Sequence, residues 1–202
     1  MTIRRAGILL LAVLWLAGCA ATMPGNVYDS AGESKAKGAH VRVNYPAGWE
    51  KKPGDNKDML VQFLRRNESV VEMLMLQVYR IDEEGAKSFF PMPGADAQEE
   101  RYVMWKKTIE SLSDTKVVSV ADVAVPGDLP AVLIELTMLP SSFKGDIYTR
   151  MKMLHVYKKE RMVIVSCGTG AETARKAEVD LLLKESTSPV CQQYFDSLRF
   201  VE

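Results

Sequence analysis

After residue 40 the chain alternates apolar and polar positions with a period of two. Val41, Val43 and Tyr45 share one face of a short strand that stops at Pro46-Ala47-Gly48, ahead of Trp49. Residues 50–58, EKKPGDNKD, read as a charged, solvated loop. Alternation resumes over about 59–65 and 70–81, with Arg66-Asn67-Glu68-Ser69 as the hairpin turn between them. Residues 82–95 read as a loop holding Phe89-Phe90-Pro91-Met92-Pro93. There the period changes. Asp96 and Glu99 have the spacing of a capping box, and Tyr102, Trp105, Ile109 and Leu112 recur at helical spacing. This predicts a helix with one buried face.

Three or four further strands are predicted over about 115–125, 130–139, 146–158 and 161–167, with turns at Pro126-Gly127-Asp128 and Lys158-Lys159-Glu160. Links this short join antiparallel neighbours, because a parallel crossover takes about a dozen residues or more. Thr169 and Glu172 again have capping-box spacing and predict a helix running to about Lys184. Ser188 as N-cap and Pro189 in the first turn open a last helix with Val190, Cys191, Tyr194, Phe195 and Leu198 on its apolar face. The order defines an α+β domain, an antiparallel β-sheet flanked by helices.

The N-terminal residues follow different rules. Arg4 and Arg5 precede an apolar run from Ala6 to Leu16. At ~1.5 Å per residue that run is too short to cross a hydrocarbon core of roughly 30 Å. Charge, short apolar stretch and small residues make a secretory signal over residues 1–18. Its end, Leu16-Ala17-Gly18-Cys19, resembles the lipobox of bacterial lipoproteins. The resemblance implies diacylation of Cys19 with palmitate-type chains, cleavage before it, and N-acylation of the new amino terminus. A plain secretory signal with an incidental cysteine is the alternative. Acyl chains contribute ~0.8 kcal/mol per buried CH₂, so several of them anchor stably. Ala20, where Asp would direct retention in the inner membrane, points by resemblance to enterobacterial sorting to the outer membrane. Residues 19–39 then read as the lipidated cysteine and a flexible tether, being small, polar and aperiodic. Twenty such residues span roughly 25 Å. Residues 40–202 are left as a single domain.

Composition narrows the function classes. The chain has 202 residues, of which 47% are hydrophobic, as in ordinary globular domains rather than disordered chains. Its 26 basic and 26 acidic side chains cancel, which removes the electrostatic case for nucleic acid as a partner. Two histidines, His40 and His155, and three cysteines leave little room for metal or nucleophile chemistry.

Export places Cys167 and Cys191 in an oxidising compartment, and a disulfide between them would clamp the last helix to the sheet. Free thiols or a Cys-His site are the alternatives. Met151, Met153 and His155 alternate and share one strand face, as do Met73 and Met75 on another strand. Thioether and imidazole donors suit Cu(I). Methionine is equally a common core filler, and core packing is the reading adopted, with no cofactor or metal assigned. Ser166-Cys167-Gly168-Thr169-Gly170, before an expected helix start, has backbone N–H groups for an anion but neither the lysine nor the spacing of a P-loop. Its glycines are read as letting the chain turn from strand to helix. Ser166 with His155 as nucleophile and base is a weaker idea, since alternation does not bring the two together. Phe89, Phe90 and Met92 form a stiff, proline-bounded apolar segment, either an exposed partner contact or a loop folded back over the sheet edge.

Tyr45-Pro-Ala-Gly-Trp49, Leu129-Pro130-Ala131 and Phe195-Asp-Ser-Leu-Arg-Phe200, with the order of elements, resemble the PsbP-like superfamily. That superfamily takes in the extrinsic photosystem II subunit, the periplasmic lipoprotein DcrB and mycobacterial lipoproteins. The resemblance implies an α/β/α sandwich and a role in binding proteins or ligands, with no shared catalytic motif. The expectation is a non-enzymatic, lipid-anchored binding or scaffolding module facing the periplasm. Its partners would be the membrane, through the anchor, and envelope proteins. The alternative is a carrier or sensor of Cu(I) or of a small hydrophobic ligand held between sheet and helix.

Overall fold

The structure, a computed structural model, describes residues 25–112, 114–139, 141–142 and 145–202. In chain order the strands are β1 (Gly25–Asp29), β2 (Val41–Pro46), β3 (Glu50–Pro53), β4 (Met59–Asn67) and β5 (Val70–Arg80). A short helix α1 (Glu83–Lys87) and the longer α2 (Gln98–Glu110) follow. Then come β6 (Thr115–Asp122), β7 (Ala131–Met138), β8 (Ser141–Ser142), β9 (Gly145–Lys158) and β10 (Arg161–Glu172). Helices α3 (Lys176–Leu182) and α4 (Ser188–Asp196) and strand β11 (Arg199–Phe200) complete the domain.

The strands form an eight-stranded sheet in the order β3-β4-β5-β10-β9-β7-β6, with β8 attached to β9, and a three-stranded sheet β1-β2-β11. Every pairing is antiparallel. Strand β10 lies in the middle of the large sheet, and from Val163 to Ala171 each of its residues is buried, as a strand covered on both faces requires. One face carries Phe63, Leu74, Leu76 and Val165 against Val41 and Val43 of the small sheet, Val190 and Tyr194 of α4, and Leu198, which the sequence places in the last helix but which lies just past its end. The other carries Val132, Ile134, Met151 and Tyr157 against Phe90, Trp105 and Ile109. Helices on both faces of an antiparallel sheet make this an α+β sandwich.

Several boundaries differ from the sequence reading. The tether expected over 19–39 is folded from Gly25 onward. Residues Gly25–Asp29 pair with Pro46–Arg42, Tyr28 is buried beside Phe63 with ring centroids 6.2 Å apart, and buried Ser30 bonds to Ala39 and Val41. A strand with one buried aromatic leaves no hydrophobic period to detect. The charged loop at 50–58 contains β3, an edge strand pairing with β4 through its backbone. Helix α2 begins at Gln98 without a side-chain cap, and its buried residues are Arg101, Trp105 and Ile109, while Leu112 is exposed.

The helix start expected at Thr169 does not occur, because β10 continues to Glu172. Gly168 and Gly170 therefore lie within a strand and do not turn the chain. Thr169 instead faces Thr187 at 3.2 Å, and Thr187 donates to the Glu72 carboxylate at 2.8 Å, which also accepts from Arg65. Ser188 is helical, not a cap: a π-helical turn at Leu183–Thr187 joins α3 to α4 without a break. Such a turn accommodates Pro189, which has no N–H to donate to the preceding turn. The disulfide is present between Cys167 of β10 and Cys191 of α4, with Cα atoms 5.4 Å apart. It ties α4 to the centre of the sheet.

Candidate functional site

The first candidate is the loop of adjacent aromatics. Asp82 caps α1 by accepting from the Gly85 N–H, and the chain then returns across the sheet. Trp105 of α2 donates its indole N–H to the Phe89 carbonyl at 2.7 Å. Phe90 is fully buried between Trp105 and Tyr157, with ring centroids 5.8 Å from each. Phe89 and Met92 are half-buried against the same cluster. The segment is thus a core plug under α2 and not an exposed contact; a loop has no period from which its facing can be read.

The same face contains Met151, Met153 and His155. His155 is 3% exposed and its ring stacks edgewise on Trp105, centroids 4.5 Å apart. Neither ring nitrogen has a hydrogen-bond partner, nor does the buried Ser166 hydroxyl. The two are not joined as nucleophile and base: Ser166 pairs across the strands with Met153, and His155 with Ile164. Removal from water lowers the His155 pKa to about 3, so the imidazole is neutral. Met151 is buried and Met153 half-buried. Among the described residues no three of His, Cys, Asp and Glu stand close enough to hold a metal.

A third feature has no local sequence signal. Where α4 ends and β11 begins, Phe195, Leu198 and Phe200 face Val125 and Leu129 of the β6–β7 connection and Val156 of β9 across a groove of about 420 Å³. Gly127 turns that connection with φ +85°, a conformation open to a residue without Cβ. Lys158 lies over the Phe200 ring at 5.0 Å, and Arg199, bonded to the carbonyls of Asp196 and Leu198, stands beside it. Lys158, Phe200 and Glu202 continue into a second hollow of about 460 Å³ with Lys159 and Arg161. The floor is apolar and the rim is mostly cationic, with Glu202 the single acid lining these two hollows. The groove's residues come from three stretches of sequence, so only the folded chain assembles it.

Cys19, expected to carry lipid, and residues 1–18, expected to be a secretory signal, lie outside the described residues. No described helix is long and apolar enough to cross a membrane.

No family model matches the chain, and no curated protein matches it in sequence. Among solved structures it is similar to the Ran-binding protein Mog1p of Saccharomyces cerevisiae, with a TM-score of 0.52 at 10% identity, covering 89% of this chain and 97% of that one. It is also similar to LpqN of Mycobacterium tuberculosis, involved in cell envelope biogenesis, with a TM-score of 0.43 at 7% identity, covering 90% of this chain and 88% of that one. What the chain shares with Mog1p is the fold.

Proposed function

We propose that this chain is a non-catalytic binding module of the bacterial cell envelope, of the PsbP-like, DcrB-like kind, anchored by lipid on Cys19 and facing the periplasm. The groove carries the binding half of this reading. An apolar floor of Leu129, Leu198 and Phe200 under the cations Lys158 and Arg199 suits a partner segment with apolar side chains and carboxylates. Leu16-Ala17-Gly18-Cys19 supports the anchor, and Ala20 supports sorting to the outer membrane.

The test places a photo-cross-linking residue at Leu129 in intact cells. One dominant protein adduct is expected, and Lys158→Glu with Arg199→Glu should abolish it. An adduct indifferent to that charge reversal, or none, overturns the groove as the binding surface. Incorporation of alkyne-palmitate, lost in Cys19→Ala, tests the anchor separately. The groove also has the size of a small-ligand site, which favours a hydrophobic-ligand carrier as the second reading. Native mass spectrometry of the full chain in detergent distinguishes it by a bound small mass.

A further inference from the structure

Two Met-x-Met pairs meet across the middle of the large sheet, on the face opposite α4. The register sets Met75 of β5 and Met153 of β9 on either side of Ser166 of β10. One step along, Met73 and Met151 flank Gly168. Alternate residues of a strand share a face, so all four thioethers rise on the α2 side, with His155 next along β9. Between the pairs the central strand offers only a hydroxymethyl group and a hydrogen. A Cβ on Gly168 would stand 3.3 Å from Cβ and Cγ of Met151, so that side chain lies directly against the glycine.

Both polar side chains in this trough are unpartnered: Nδ1 and Nε2 of His155 and Oγ of Ser166. Native interiors leave few such groups, and an absent ion is among the reasons they do. Burial keeps the imidazole neutral, so a ring nitrogen is free to donate its lone pair.

The donors define the ligand. Thioethers and a neutral imidazole are soft and uncharged, which selects Cu(I) over the hard cations that take oxygen. The flanking positions in these two rows are Gln62, Leu64, Ile134 and Leu136, and in the His155 row the carboxylate of Asp122, beyond Val132, already has its charge offset by Arg101 of α2 at 2.6 Å, which leaves little to balance a divalent ion. Access is graded as well. Met73, Met75 and Met153 are half-buried and His155 is buried, so an ion arriving from solvent meets sulfur first. We propose that Met75, Met153 and His155, with Met73 and Met151 in the adjoining row, form a binding site for a soft monovalent cation, Cu(I).

The test is competition for Cu(I) against bicinchoninate, using the full chain in detergent with ascorbate as reductant. The expected result is uptake of one equivalent. Met75→Leu and Met153→Leu, each nearly volume-conserving, should weaken uptake by at least roughly tenfold, the loss seen even for groups that only support a ligand. Met104→Leu, on the outer side of α2, should leave it unchanged. Thermal melting confirms that each variant is folded, and two variants guard against one failing to fold. No uptake by the wild type, or wild-type uptake by both folded leucine variants, overturns the site. The groove lies on the other side of the sheet, so this reading and the binding-module reading fail separately.

Discussion

His155 makes the folded state sensitive to acid. The unfolded chain binds a proton on this side chain near its ordinary pKa of 6.5, whereas the folded chain does so only near 3. Between those values the unfolded state holds the extra proton, so metal-free stability falls as pH is lowered through that window and recovers above 6.5. The contribution has a slope of about 1.4 kcal/mol per pH unit. Urea unfolding at pH 7 and pH 4.5 should show a smaller acid loss in His155→Leu than in the wild type. At pH 7 that variant should match or exceed wild-type stability by about 1 kcal/mol, because it removes buried polar atoms that have no partner. An acid loss identical in the two chains would contradict the assignment. That His155 shares a face with two methionines is legible in the alternation of residues 151–155. That it lies under Trp105 is not, because the contact joins a strand to a helix 50 residues away.

Among the elements, β10 shows how context overrides a local motif. Thr169 and Glu172 have capping-box spacing, yet Thr169 is buried in a central strand paired on both sides. Two ladders of backbone hydrogen bonds outweigh one capping bond. The alternation over 70–81 places β5, which buries every second residue, whereas β9, predicted over 146–158, is buried without interruption from Leu154 to Tyr157, where the sheet is covered on both faces. At the joint between α3 and α4, Ser188-Pro189 has the composition of a helix start and predicts a break, but the π turn provides the same backbone relief inside one helix. Cys167 and Cys191, paired as the oxidising compartment suggested, close a loop with a sequence separation of 24. Replacing both by Ala should lower stability by about 3 kcal/mol in the chain-entropy account, read as a drop in the denaturation midpoint. A midpoint unchanged from the oxidised wild type would show that packing of Val190, Tyr194 and Leu198 alone holds α4.

At the scale of the molecule, the small sheet decides where the domain begins. Its strand β2 carries β1 on one side and β11 on the other, so the first and last described strands depend on one another. A chain starting at His40 lacks β1, and with it Tyr28 and Ser30, which exposes Phe63 and frees the edge of β2. It should melt well below a chain starting at Gly25, by several kelvin for each kcal/mol lost. Equal melting temperatures would return residues 25–39 to the status of a linker. The sandwich itself could be read from the order of periods along the sequence. The groove could not, since the β6–β7 turn, the end of β9 and the last eight residues meet only when the sheets have closed.

The early start of β1 also sets a stand-off distance. Under the proposed anchoring at Cys19, the six residues to Gly25 could reach at most about 20 Å when fully extended, which would hold the domain close to the bilayer. Gly25 pairs with Pro46 at one end of β2, while Phe200 pairs with Val41 at the other. The described chain therefore begins at one pole of the small sheet, and Phe200, which lines the groove, lies at the opposite pole, roughly 17 Å further along the strand. Under that proposal, a short mooring at one end and the groove at the other would turn the binding surface away from the membrane.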